Sequence, residues 1–108
     1  MQTYVIPYAF NTASPLQIVL LLSPGEYVMR AEVEVAVVFT DPVATLELGV
    51  PGTPGAILDA ASIDPLIAGF YRQLDPFTVG VAAPVELTIT PGASAAGSGT
   101  VFVEVWVP

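Results

Sequence analysis

Between recurring prolines and glycines the chain is a series of short runs in which apolar and polar residues alternate. Alternation of period two marks a strand with one face buried. The longest run spans Tyr27 to Phe39. Met29, Ala31, Val33, Val35, Val37 and Phe39 fall on one face, and Val28, Arg30, Glu32, Glu34, Ala36 and Val38 on the other. The charges of the second face give way to Ala36 and Val38, so this strand is expected to run from a solvated region into one covered on both sides. In Val43 to Val50 and Val85 to Thr90 the same alternation sets Ala44, Leu46, Leu48, Val50, Val85, Leu87 and Ile89 against Thr45, Glu47, Glu86 and Thr88. The last run, Thr100 to Val107, places Val101, Val103, Val105 and Val107 inward and Thr100, Phe102, Glu104 and Trp106 outward. Shorter candidates are Thr3 to Phe10, Leu16 to Leu22, Phe70 to Leu74 and Phe77 to Val81.

The connections carry turn chemistry. Ser23-Pro24-Gly25-Glu26 reads as a tight turn, Thr40-Asp41-Pro42 ends the long strand, Pro51 to Gly55 reads as a broader loop, and Pro91 to Gly99 as a hairpin tip of small residues. Ala56 to Ile63 alone has room for a helical turn, which Asp64-Pro65 would stop. About eight short strands and no long helix predict an all-β antiparallel sandwich, a jelly roll or an immunoglobulin-like arrangement. The jelly roll is preferred, because the paired cysteines and central tryptophan of immunoglobulin domains are missing. The 108 residues provide for a single domain, residues 1–108, with no internal repeat and no linker.

Composition adds what the pattern omits. Hydrophobic residues make up 54% of the chain and charged ones 11%, against about 45–50% and 25% in typical soluble domains. Too few charges remain to coat the surface, so part of the apolar surface is expected to meet another chain. Ten acidic residues face only Arg30 and Arg72, for a net charge of −8 at pH 7. No basic footprint exists for nucleic acid, and an anionic membrane surface is disfavoured for the same reason. The N-terminus lacks the basic start and apolar stretch of a secretory signal, and the densest apolar run, Leu16 to Leu22, is far short of the ~20 residues that span a bilayer.

The absence of histidine and cysteine removes the commonest general base, nucleophile and metal ligands together. Catalysis would rest on carboxylates, with Glu32 and Glu34 on one strand face or Asp59 and Asp64 as candidates. Alternating glutamates on a strand more often form a solvated face, and no enzyme activity is expected. Ser14, Ser23, Ser62, Ser94 and Ser98 read as turn residues, and Gly97-Ser98-Gly99 as a flexible tip, not a phosphate loop, since no lysine follows. Asp59 and Asp64 match no calcium loop and suit local capping and turn roles. No metal or other cofactor is expected. Phe102 and Trp106, on the outward face of the last strand, are either covered by the chain's own loops or anchors of an interface, with Tyr4 and Tyr8 next. The same aromatics would serve as stacking platforms for a carbohydrate.

The segment Ala44 to Arg72, ATLELGVPGTPGAILDAASIDPLIAGFYR, and the ending TVFVEVWVP resemble small β-sandwich structural proteins of tailed bacteriophages. There a valine-rich strand like Arg30 to Phe39 precedes an ATLxxG strand like Ala44 to Gly49. A stretch like Leu58 to Asp64 then leads to a Gly-aromatic strand like Gly69 to Tyr71. The resemblance implies a virion component made in the host cytoplasm, commonly a homotrimeric jelly roll that decorates a capsid or forms part of a head or tail appendage. It brings no catalytic residues. Its partners would be copies of itself and capsid or other virion proteins, with carbohydrate as the alternative in a host-attachment role. The sequence shows neither a long N-terminal arm for gripping a shell nor an added receptor-binding domain, so the resemblance does not extend to firm anchoring or host recognition.

Overall fold

A computed structural model describes residues Met1–Pro108 and contains eight strands and no helix. In chain order these are β1 (Gln2–Ala9), β2 (Leu16–Leu22), β3 (Tyr27–Val37), β4 (Thr45–Val50), β5 (Thr53–Leu58), β6 (Gly69–Gln73), β7 (Ala83–Thr90) and β8 (Ser98–Trp106). They form two four-stranded sheets of order β1-β8-β3-β6 and β2-β7-β4-β5. Antiparallel pairs β1–β8, β2–β7, β3–β6 and β4–β5 make the chain one long ribbon folded back at the Pro51-Gly52 turn. Gly52 takes φ +85° there, a conformation that favours glycine. Rolling the ribbon places successive rungs in opposite sheets and adds the pairings β3–β8 and β4–β7. This is a jelly-roll sandwich.

The alternation read from the sequence builds the core. Ala31, Val33 and Val35 of β3 and Val101, Val103 and Val105 of β8 turn inward, where they meet Leu46, Leu48, Val85, Leu87 and Ile89 of the other sheet in one buried cluster. Each Val, Leu or Ile among them contributes about 1.5–3 kcal/mol when removed from water. The parity of β3 changes at its ends. Register shifts set Met29 between Val28 and Arg30, and Ala36 between Val35 and Val37. An extra residue of this kind flips the side chains beyond it. Val28 is therefore buried while Met29 and Val37 are exposed, opposite to strict alternation, and the far end of β3 is open to solvent at Ala36 and Val38, not covered on both sides.

Two segments also depart from expectation. The stretch read as a loop and a helical turn contains β5, which tolerates Pro54 because it is an edge strand. Phe77 to Val81 forms no strand. Pro76, without an N–H, interrupts the continuation of β6, and only an isolated bridge joins Phe77 to Val28, with N–O distances of 2.9 and 3.0 Å.

At one end of the sandwich the loops tie to one another. Asp41 accepts from the Val43 N–H at 3.0 Å and the Ala93 N–H at 2.6 Å, and its own N–H donates to Ser94 Oγ. The Asp41 carboxyl is held below the usual range by these two backbone donors. Ser23 to Glu26 closes the opposite end as a turn with Gly25 at φ +92°, and the Ser23 N–H donates to Glu26 Oε1.

Candidate interaction face

The outer side of the β1-β8-β3-β6 sheet is where the outward residues of four strands converge. Antiparallel registers line them up in rows. Tyr27 stands beside Trp106. Arg30, Glu104 and Thr3 form the next row, then Arg72, Glu32, Phe102 and Val5, and then Phe70, Glu34, Thr100 and Pro7.

Both cations of the chain lie here. Glu32, expected on a solvated face, is instead buried, because Arg72 and Phe102 flank it in its own row. Its Oε2 accepts from Arg72 Nε and lies 3.6 Å from an Arg30 nitrogen, while Arg30 also reaches Glu104 at 3.7 Å. The Glu32 side chain is 7% exposed, whereas those of Arg30 and Arg72 are 48% and 56% exposed. Each guanidinium carries five N–H donors in a planar fork, so both keep donors free for a further acceptor.

Aromatic and apolar groups surround this ionic centre. The Tyr27 and Trp106 rings meet at 5.5 Å with a 58° tilt, and with Met29 and Pro76 they line a shallow pocket of about 300 Å³. Val5 and Phe70 are each more than half exposed, Trp106 is 42% exposed, and Phe102 is half-buried.

Of the four aromatics singled out in the sequence, Phe102 and Trp106 lie on this face and Tyr4 and Tyr8 do not. Tyr4 and Tyr8 pair with Val103 and Gly99 and so share the inward parity of β8. Tyr4 packs half-buried against the core, its hydroxyl donating to Gln2 Oε1 at 2.8 Å. Tyr8 is 3% exposed, stacks on Phe39 and donates to the Glu34 carbonyl at 2.8 Å. Tyr8 is therefore a core residue and offers no surface to a partner. Burial above all, then the Glu34 charge, pushes its hydroxyl far above the usual tyrosine range. Tyr27 also lies on the face, and Met29, Val5 and Phe70 join it without having been picked out, since their outward parity follows from strand register and a bulge.

Asp59 and Asp64, candidate ligands or catalysts in the sequence, sit in local turns. Asp59 Oδ1 accepts from the Ser62 N–H and Oγ, and Asp64 Oδ1 accepts from the Leu66 N–H. Tyr71 donates to the carbonyls of Asp64 and Ile67, which fixes that loop over β6.

No protein-family model matches the chain, and no curated protein matches it in sequence. Its fold recurs in solved structures of bacteriophage capsids. A chain of the acid-stable capsid structure of Helicobacter pylori bacteriophage KHP30 superposes with a TM-score of 0.72 and 16% identity, over 99% of this chain and 87% of that one. A chain of the cyanophage Pam1 capsid asymmetric unit gives 0.72 and 21%, over 99% and 84%. A chain of the Ralstonia phage GP4 capsid gives 0.62 and 14%, over 99% and 85%. The chain is thus a β-sandwich of a kind that phage capsids contain, and at these identities the likeness is one of fold.

Proposed function

We propose that this protein is a non-enzymatic structural component of a bacteriophage virion, a capsid decoration or head-appendage protein that self-associates and docks on the particle. The observation that carries this reading is the likeness of nearly the whole chain to chains of three phage capsids. Supporting it are the low charge content and an outer sheet face bearing Val5, Phe70, Phe102 and Trp106. A homotrimer is the assembly that the sequence resemblance implies. Carbohydrate binding is the less favoured role, because the pocket at Tyr27 and Trp106 is lined otherwise by Met29 and Pro76, with no carboxylate or amide to take sugar hydroxyls.

Immunogold electron microscopy of purified particles with an antibody against this chain tests the reading. Regular labelling over the head is expected. Labelling confined to a tail tip would favour host attachment and call for a glycan array, and unlabelled intact particles would remove the surface role.

A further inference from the structure

The two outer faces of the sandwich differ in a way that selects what each can meet. On the β2-β7-β4-β5 sheet the outward residues of β4 and β7 are Thr45, Glu47, Glu86, Thr88 and Thr90, and no large apolar side chain of β4, β5 or β7 is exposed. That face is anionic and polar across β4 and β7, and its exposed apolar side chains are confined to the edge strand β2, at Leu20 and Leu21. The outer face of the β1-β8-β3-β6 sheet holds Arg30 and Arg72, the only cations among side chains, together with Glu34, Glu104, Val5, Phe70 and Trp106.

We infer that a second copy of this chain is the occupant of the β1-β8-β3-β6 face. The inference rests on the self-association proposed above and names its surface. Two copies, each at −8, repel through every other part of their surfaces, where carboxylates meet no cation. Only this face carries both signs. The free guanidinium donors of Arg30 and Arg72 can meet the half-buried carboxylates of Glu34 and Glu104 on the other copy, and where two such faces meet across a two-fold axis the same residues answer in return. Val5, Phe70 and Trp106 supply the apolar area between the charges.

Four strands and four rows span about 20 Å by 20 Å, roughly 400 Å² of flat surface. That is about half of the ~800 Å² per partner in standard stable interfaces. Pairing through this face is therefore weak in dilute solution and becomes firm where a particle holds many copies together.

Sedimentation velocity of the purified full chain from about 1 μM to about 1 mM tests the inference. Val5→Glu and Phe70→Glu place charge on the face at exposed positions, and Leu20→Glu and Val81→Glu do so elsewhere. Each face variant is expected to weaken association at least ~10-fold and each control less than ~2-fold. Thermal unfolding by circular dichroism checks each fold, with Phe70→Ser as a second face variant. Association that survives the face variants, or is lost equally in the controls, overturns the assignment of this face while leaving self-association intact. A chain monomeric at every concentration overturns both, and particle labelling then still decides the virion role.

Discussion

Gly99 is the position where a single methyl group does most damage. It lies on β8 between Tyr8 of β1 and Val35 of β3, and its missing side chain is the space that the Tyr8 hydroxyl uses to reach the Glu34 carbonyl. A Cβ at this position would overlap the Glu34 carbonyl oxygen and lie 2.8 Å from the Tyr8 hydroxyl. Ordinary carbon contacts need about 3.5 Å, so Gly99→Ala must push β8 from β3 by about 1 Å or more. Overpacking costs about 1–3 kcal/mol, and the broken Tyr8 bond with one or two ladder bonds adds about 1 kcal/mol each. The expected loss is about 3–6 kcal/mol, a large share of the roughly 5–15 kcal/mol that stabilises a domain. At a urea slope of about 1.5 kcal/mol/M the midpoint would fall by roughly 2–4 M. Tyr8→Phe removes only the hydrogen bond, for about 1 kcal/mol, and does not rescue Gly99→Ala because the carbonyl overlap persists. Urea unfolding of both single variants and the double variant checks this. A Gly99→Ala midpoint within 0.5 M of wild type, by the same ~1.5 kcal/mol/M slope, would refute the reasoning.

Four further outcomes follow from the same geometry. Because the Tyr8 hydroxyl is held above its usual range, its contribution is complete below about pH 10, where unfolded tyrosine begins to ionise, and declines at higher pH; Tyr8→Phe should flatten the alkaline limb of a stability–pH curve. The Asp41 carboxyl is held low by the Val43 and Ala93 N–H groups, so its contribution is present above about pH 4 and is lost as pH falls further. Asp41→Asn should remove that part of the acid limb, measured by thermal melts from neutral to acid pH. Glu32→Gln should cost about 1–2 kcal/mol in urea unfolding, less than a fully buried ion pair, because both arginines stand about half exposed and can turn to water. Trp106→Ala should weaken self-association by about 2 kcal/mol in sedimentation equilibrium with little change in monomer stability.

The fold was legible where alternation was long and uninterrupted. Val101, Val103 and Val105 declare the inward side of β8, and Leu46, Leu48, Leu87 and Ile89 that of the opposing sheet, because period two has one physical reading at this length. Three things were hidden. The bulge at Met29 reverses parity within a run that looks regular, and no residue there demands an extra position. The short β5 carries Pro54 and Gly55, which read as a loop until its place at a sheet edge is known. The interaction face was half legible. Phe102 and Trp106 lie on a strand whose parity is plain, whereas Tyr8 was misread as surface because the pairing Tyr8–Gly99, which turns it inward, is a long-range register that local sequence does not contain. For the same reason Glu32 looked solvated, although Arg72 lies directly across the β3–β6 ladder.

Quantitative mass spectrometry of gradient-purified virions tests the virion role most directly. A glutamate-specific protease suits the chain, since Arg30 and Arg72 are its only tryptic sites. The account predicts that peptides of this chain co-migrate with intact particles at a fixed molar ratio to the main shell protein through successive gradients. A chain recovered only in the soluble lysate, and absent from particles after the first gradient, would contradict it.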